Sequence, residues 1–223
     1  MESKLINLIK ANTKLIQIIS YETLRVHGML IRASRELKKD LFVWNRVEGI
    51  KKWDNEKGSF EIEDEEKQLP DTVLDFFKDK DNLILLLEDF YPDLTEDKPR
   101  MIKTFRNIAL QNSKDKTLIL SQPFLQLPKE LEKDVHILDL PYPNFDDIKA
   151  IYNKVCTAHN IPNADNPDNE LIESALGLTI MEAEKAFALA YIENQSLTGA
   201  EVPLIIREKE NVIKKSGYLE YYH

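Results

Sequence analysis

The sequence predicts an α/β fold in which a mainly parallel sheet is sandwiched between helices and is followed by a small all-helical unit. Three observations support this prediction. Short runs rich in Leu, Ile and Val recur along the first 140 residues, helix-like stretches separate them, and no further run of this kind follows residue 143. Strands that alternate with helices are typical of parallel sheets covered on both faces. We therefore expect an α/β domain over residues 1–142, and a helical lid subdomain with a C-terminal connecting helix over residues 143–223.

Five apolar runs in the first part have strand length and are bounded by polar residues. We predict strands over Leu15–Ser20, Leu41–Asn45, Asn82–Glu88, Thr117–Ser121 and Val135–Leu140. Continuous apolar runs of this length suit strands that are buried on both faces. Helices are predicted after the first three strands, over Glu22–Lys38, Asp71–Lys78 and Pro99–Gln111.

The second part carries only helical patterns. We predict helices over Asp146–His159, Asn169–Leu176, Thr179–Glu193 and Leu204–Lys215. Asn144 precedes two acids and favours a helix start, because an Asn side chain accepts a hydrogen bond from the first helical turn. The spacing Thr179-x-x-Glu182 has the form of a capping box and predicts a second start.

The composition describes a folded chain in a reducing compartment. Of the 223 residues, 43% are hydrophobic and 31% are charged, which is enough apolar material for a sizeable core. The single cysteine cannot form an internal disulfide, so we expect the cytoplasm or a plastid stroma. The apolar run Leu83–Leu87 is far too short to cross a bilayer, and we expect no membrane association.

The net charge of −9 is concentrated in one region. Residues 54–97 hold 16 Asp and Glu against 4 Lys and Arg, so a nucleic acid would be repelled there and we do not expect one as a partner. We interpret the acidic segment Glu61–Glu66, with the preceding Asn55–Ser59, as a solvated loop between ordered elements. The alternative is a docking site for a basic partner.

Four local patterns occur in an order that resembles the AAA+ ATPases. The run Leu83–Leu87 leads into Glu88-Asp89, and the next strand ends at Gln122. The stretch Leu127–Pro143 and the turn and helix that follow Gly177 complete the order. More narrowly, the chain is similar to the N-terminal half of AAA ATPases known from cyanobacteria and plastids as a hypothetical chloroplast reading frame. The segments that show this similarity are Leu41–Trp44 with Glu48-Gly49, Leu85–Phe90 and Pro128–Pro143.

This resemblance implies a P-loop NTPase-like (AAA+) parallel-sheet sandwich with a helical lid, and it assigns roles to three residues. Glu88 and Asp89 resemble a Walker B pair, and Gln122 stands where the family carries its polar sensor. Three features depart from the family pattern. The segment after the first strand has no Gly-x-x-x-x-Gly-Lys, the two acids stand in reversed order, and Glu132–Asp134 has no arginine where the family places its arginine finger.

From these departures we expect a module that is not an enzyme by itself, with no catalytic residues and no bound cofactor or metal. Its expected role is the assembly or regulation of an AAA+ ATPase, in cis or in trans, or of another protein partner. In the resembled family, the segment Glu208–His223 lies in the connection to a catalytic AAA+ module, so we expect the chain to be part of a larger machine.

Two other functions stay open at this point. Glu88 and Asp89, together with Asp93, Glu96 and Asp97, are of the type that binds Mg²⁺ in phosphoryl-transfer or nucleic-acid enzymes. Alternatively, the module binds ATP and Mg²⁺ without hydrolysing the nucleotide.

Two smaller patterns complete the predicted sites. Arg100, Lys103 and Arg106 form a basic stripe on one helix and are candidates for contact with an acidic neighbour. Cys156 and His159 have the spacing of half a zinc site, but the sequence offers no second half, so we predict a buried structural cysteine.

Overall fold

The computed structural model describes residues 1–111, 115–161 and 168–215. The chain divides into two compact units, Met1–Leu140 and Pro141–His223. The division falls two residues before the boundary expected from the sequence. Across the three described ranges, no helix combines the length and the apolar character needed to cross a membrane.

The first unit contains seven strands among its described residues. Its helices and strands are α1 Glu2–Lys10, β1 Leu15–Ile19, α2 Thr23–Leu37, β2 Asp40–Asn45, β3 Gly49–Asp54, β4 Ser59–Asp64, α3 Pro70–Asp79, β5 Leu83–Glu88, α4 Pro99–Ala109, β6 Lys116–Gln122 and β7 Val135–Asp139. Single turns of 3₁₀ helix follow at Tyr91–Asp93 and Lys129–Leu131.

All seven strands form one sheet in the order β4-β3-β2-β5-β6-β1-β7. The last five strands of this order pair in parallel, and they are the five predicted from the sequence. Both faces of this parallel part are buried, which explains why its strands appear as continuous apolar runs. One face packs in a core that includes Trp44, Leu87 and Phe105, and the other in a core that includes Ile18, Leu30 and Leu86.

The prediction of a solvated loop at Glu61–Glu66 is wrong. Residues 59–64 form β4, which pairs antiparallel with β3 and extends the sheet as a hairpin. Trp53 pairs with Phe60 across the hairpin, with ring centroids 5.1 Å apart. These two aromatic residues pack against the core on the α2 side of the sheet, so the hairpin has an apolar attachment that its acidic residues conceal.

One glycine is required where the chain turns from β2 into β3. Gly49 has a φ of +71°, a conformation that side-chain-bearing residues rarely adopt. A Cβ at this position would lie 2.5 Å from the carbonyl oxygen of Asp64. The close approach fixes the start of β3 against the end of β4.

The second unit is all-helical among its described residues, as predicted. Its helices are α5 Phe145–Ala158, α6 Asn169–Ser174, α7 Ile180–Asn194 and α8 Val202–Lys215, with a 3₁₀ turn at Gly199–Glu201. The predicted helix starts are confirmed, because Asn144 pairs with Asp147 and Thr179 pairs with Glu182 in complete capping boxes. The predicted connecting segment after residue 215 lies outside the described residues.

Candidate functional site

The carboxyl ends of the five parallel strands meet along one edge of the sheet. In open α/β sheets, this is the edge at which ligands bind. The residues that end these strands or directly follow them form the strand-end site. They are Ser20–Glu22 after β1, Asn45 in β2, Glu88 and Asp89 at β5, and Gln122 in β6. The three residues that resemble family positions therefore lie at the same edge.

The connection between β1 and α2 is short. Only Ser20, Tyr21 and Glu22 separate the last residue of β1 from the first residue of α2. The Ser20 N–H donates to the carbonyl oxygen of Gln122 at 3.0 Å, and the Glu22 N–H donates to Ser20 Oγ at 2.9 Å. A phosphate-binding loop instead surrounds the anion with several backbone N–H groups and a lysine. Here the same position carries a carboxylate, Glu22, which pairs with Arg25.

Glu88 is the centre of a hydrogen-bond network that joins three elements. Its Oε1 lies 2.7 Å from His27 Nε2 in α2, and its Oε2 accepts a hydrogen bond of 3.2 Å from Asn45 Nδ2 in β2. Asn45 also donates to Glu48 at 2.8 Å. The side chains of Glu88 and His27 are each only 14% exposed. Both carboxylate oxygens of Glu88 are therefore used within the fold.

Asp89 lies just beyond β5 in an unusual backbone conformation. Its φ is 48°, in the left-handed region, and its N–H donates to the carbonyl oxygen of Ser121 at 3.0 Å. Asp89 is exposed, but partial desolvation of its carboxyl, followed by the neighbouring charge of Glu88, raises its pKa above the ordinary value of 3.8. The folded state therefore binds a proton at Asp89 more tightly than the unfolded chain does.

Asp89→Asn is expected to stabilise the first unit only slightly at neutral pH, by no more than about 0.5 kcal/mol, because Asp89 is exposed and solvent screens its charge. The raised pKa of Asp89 means that the folded state binds more protons than the unfolded state between the two pKa values, so stability falls as pH rises through that window. Asparagine removes the charge and tolerates a positive φ. The advantage of the variant should therefore disappear below the ordinary pKa of aspartate, as measured by urea unfolding at several pH values.

Asp97→Asn is the matched control for this substitution. A hydrogen bond from the Thr95 hydroxyl lowers the pKa of Asp97, so there the folded state favours the charged form. The control should be less stable than the wild type at neutral pH, which is the opposite sign. A neutral-pH loss of stability in Asp89→Asn would contradict the environment described for Asp89.

Gln122 is buried beneath the loop that follows β6. Its Nε2 donates to the carbonyl oxygens of Phe124 at 3.1 Å and Gln126 at 3.4 Å. Gln17, in the middle of β1, donates to the same Phe124 oxygen at 3.2 Å. Sequence reasoning missed Gln17, although a lone amide inside the apolar run of β1 is a visible signal. Together the two glutamines hold the loop over residues 123–126 against the sheet.

The acids predicted from the sequence as a possible Mg²⁺ cluster interact with different partners in the structure. Asp93 is buried and pairs with Lys98 at 2.9 Å and with Arg46. Asp97 accepts a hydrogen bond from Thr95, and Glu96 is exposed. Within the described ranges, no three His, Cys, Asp or Glu side chains come together as a metal site. The geometry of these residues does not favour the Mg²⁺ enzyme.

Cys156 is buried in the second unit, as predicted. Burial raises the pKa of its thiol. The ring of His159 lies 5.1 Å from the ring of Tyr191. Cys156 packs in the core of the second unit, whereas His159 is half-buried at its margin.

The basic stripe on α4 lies on an exposed surface. Arg100 lies 3.9 Å from Asp71, and Arg106 lies 3.7 Å from Asp134. Exposed ion pairs of this kind contribute about 0–1 kcal/mol, so they are easily exchanged for other partners. Lys103, between them, is also exposed. A role for the stripe in contact with an acidic neighbour stays a prediction.

Two family models match the chain in sequence. The model described as "SpoVK-like AAA ATPase, N-terminal domain" matches residues 1–140, and that described as "SpoVK-like AAA ATPase, second domain" matches residues 146–216. Together they cover both structural units.

Curated relatives include the "Uncharacterized AAA domain-containing protein ycf46" of two algae. The protein from Guillardia theta is 23% identical over 218 residues, which are 97% of this chain and 42% of the relative. The protein from Pyropia yezoensis is 25% identical over 188 residues, which are 82% of this chain and 37% of the relative. The chain thus spans about two fifths of the length of these relatives. The resemblance to plastid AAA ATPases is confirmed.

Solved AAA structures share the fold. The FIGL-1 AAA domain in complex with ADP superimposes with a TM-score of 0.58 at 11% identity, over 97% of this chain and 85% of that one. A chain of the E. coli MS115-1 HORMA:CdnC:Trip13 complex gives 0.59 at 9% identity, over 96% and 86%. At such identities the likeness shows the fold alone, and the predicted P-loop NTPase-like (AAA+) class is confirmed.

The comparisons also correct one prediction. We expected a chain that is not an enzyme, because three parts of the phosphoryl-transfer machinery are altered in its sequence. The matching family models describe domains of an AAA ATPase, and AAA ATPases are enzymes. The prediction that the chain is not an enzyme is therefore wrong, because the family to which it belongs consists of enzymes.

Proposed function

The chain belongs to the SpoVK-like AAA ATPases, and from this premise we propose that it is an AAA+ module with a part in the assembly or regulation of such an ATPase. Its partner is a catalytic AAA+ module, joined in cis or supplied in trans. The observation that carries the proposal is the network around Glu88. The carboxylate that resembles a Walker B acid is bonded to His27 and Asn45 of its own module.

The chemistry of Mg²⁺ explains why this network matters. Mg²⁺ requires carboxylate oxygens in a near-octahedral shell and in ATPase sites bridges them to phosphate. Mg²⁺ at Glu88 would compete with its contact of 2.7 Å with His27 and its hydrogen bond of 3.2 Å with Asn45. The short connection after β1 and the carboxylate of Glu22 add no phosphate ligand. We therefore propose that ATP and Mg²⁺ do not bind at the strand-end site.

Exposed apolar side chains at the same edge support a contact with protein. Tyr21 and Leu24 are 75% and 76% exposed, and Phe124 and Leu125 are also exposed. The hydrogen bond between Ser20 and Gln122 joins the two segments that carry them. We call these four residues the strand-end apolar patch. Exposed apolar side chains that are grouped in this way are typical of interaction surfaces.

ATP or ADP with Mg²⁺ is expected to leave the melting temperature of the chain unchanged. A ligand at 100 times its dissociation constant stabilises a protein by about 2.7 kcal/mol, which for a domain of this size is a shift of about 5–10 °C. The measurement is thermal unfolding in the presence of millimolar nucleotide, with tryptophan fluorescence as the signal. The FIGL-1 AAA domain, whose structure contains ADP, is the positive control.

A reproducible rise of several degrees with nucleotide would overturn this proposal. If that rise also disappeared in Glu88→Gln, the carboxylate would be a metal ligand, and the module would bind nucleotide at this edge. An unchanged melting temperature beside a clear rise for the control would support the assembly or regulatory role.

A further inference from the structure

The outer side of β4 is an open sheet edge. β4 ends the strand order, and no strand among the described residues pairs with its outer side. Along such an edge, alternate backbone N–H and C=O groups point away from the sheet and can pair with another extended chain. The six residues Ser59–Asp64 offer a length of about 20 Å for this pairing.

β4 lacks two of the features that block pairing at sheet edges, although it carries charged side chains and its pairing with β3 is interrupted by a bulge between Ile62 and Asp64. Natural edge strands are commonly protected by proline, lysine or a covering segment. Residues 59–64 contain neither proline nor lysine. Ile62, in the middle of this strand, is 65% exposed. An exposed β-branched side chain at this position gives an added strand an apolar contact.

The charge at this edge determines which strand can pair with it. Residues 54–66 contain seven acids and one lysine, and two of the acids, Glu61 and Glu63, flank Ile62. Hydrogen bonds from Ser59 and Lys57 lower the pKa of Glu61, so it is charged at neutral pH. A second copy of β4 would place acids against acids, which is destabilising. A basic strand meets the opposite charge.

The acids at this edge can exchange their present partners. Glu61 pairs with Lys57 at 3.1 Å and Glu63 pairs with Lys80 at 2.9 Å. Both pairs are exposed, and exposed pairs contribute about 0–1 kcal/mol. A groove of about 400 Å³ lies beside the hairpin, with Trp53, Glu56 and Glu61 among its lining residues. Asp40 of β2 and Lys52 of β3 also line the groove, so it extends from β4 across the face of the sheet.

We propose that the outer edge of β4 docks an extended, basic segment of a partner protein, which pairs with the sheet as an eighth strand. The acids around Ile62 select lysine or arginine at alternate positions of that segment, and Ile62 contacts an apolar residue between them. This inference goes beyond the proposed function and does not depend on it, because it concerns the hairpin and not the strand-end site.

The first test uses the whole chain and a synthetic peptide of about eight residues in which lysine and valine alternate. Trp53 lies in the groove and is partly exposed, whereas Trp44 is fully buried, so a change in fluorescence reports on the hairpin. We expect saturable binding that weakens as salt is added. A peptide in which glutamate replaces lysine should not bind. Equal binding of both peptides, or of neither, would overturn the proposal.

The second test reverses charge at the edge. Glu61→Lys with Glu63→Lys should weaken binding of the lysine peptide about tenfold, because two attractions become repulsions. The matched control is Glu130→Lys with Glu132→Lys, an equal change of charge at two exposed residues that precede β7, the strand at the opposite end of the sheet. The control should bind as the wild type does. An equal loss in both variants would indicate general electrostatic attraction instead of docking at β4.

The third test separates main-chain pairing from side-chain contact. Only every second N–H of an added strand points toward its neighbour. Two versions of the lysine peptide are therefore N-methylated, one at the odd and one at the even positions. One version should lose binding and the other should retain it. Binding by both versions at the affinity of the parent peptide would exclude strand addition.

Discussion

Replacing Glu88 by alanine is expected to lower the free energy of unfolding of the first unit by about 2–3 kcal/mol. The substitution removes the contact of 2.7 Å with His27 and the hydrogen bond of 3.2 Å with Asn45. It also leaves the largely buried imidazole of His27 without its carboxylate partner, and an unpaired buried polar group costs about 1–3 kcal/mol. The opposite sign is expected for a carboxylate that serves to bind a metal, because such a group often strains the fold and its removal then stabilises the protein.

Urea unfolding followed by tryptophan fluorescence measures this effect in the correct unit. Both tryptophans of the chain, Trp44 and Trp53, belong to the first unit, so the signal does not depend on the helical unit. The matched control is Glu48→Ala, because Glu48 bonds to the same Asn45 but is half exposed. The control should cost less than about 1 kcal/mol. A Glu88 variant as stable as the wild type would contradict the structural role of the network.

A double-mutant cycle assigns the effect to the pair. His27→Ala, Glu88→Ala and the double variant should show a coupling free energy of about 1–2 kcal/mol, since the two side chains are in direct contact. Independent effects would mean that the contact of 2.7 Å contributes nothing measurable.

The sequence predicted the parallel part of the sheet because each of its strands carries its own signal. The run Leu83–Leu87 is buried on both faces, and burial on both faces requires apolar residues throughout. β4 has no continuous apolar run. Phe60 and Ile62 alternate with Glu61 and Glu63 as in a half-buried strand, but acidic residues are depleted in strands, and the acids hid this pattern. Its stability comes from Trp53 across the hairpin, a contact that the local sequence of β4 cannot show.

The candidate site was also predicted only in part, because some of its contacts join residues that are distant in the sequence. Glu88, Asp89 and Gln122 were recognised because each follows an apolar strand, and strand ends meet at one edge. The partners of Glu88 were not recognised, since Asn45 and His27 lie 43 and 61 residues away along the chain. Only the pairing of β2 with β5 and the packing of α2 on the sheet bring them together.

Leu24→Asp with Leu125→Asp is expected to weaken association with the catalytic AAA+ module by about 100-fold. Burial of one leucine at an interface contributes about 1.5–3 kcal/mol, and each aspartate adds the cost of desolvating a charge. Both leucines belong to the strand-end apolar patch and are exposed, so the substitutions should leave the fold intact. Complex mass by light scattering gives the affinity, and the ATPase rate of the mixture shows whether association regulates turnover.

Leu110→Asp is the matched control for the patch. Leu110 is 75% exposed, and it follows α4 and precedes β6, so it lies toward the amino-terminal edge of the parallel sheet, opposite the patch. This control should associate as the wild type does and should give the same change in ATPase rate. If the wild-type chain neither associates with the catalytic module nor alters its rate at low or high salt, the assembly and regulatory role is wrong. If it associates and the control is impaired as strongly as the patch variant, the module contacts its partner through another surface, and the strand-end apolar patch is not the interface.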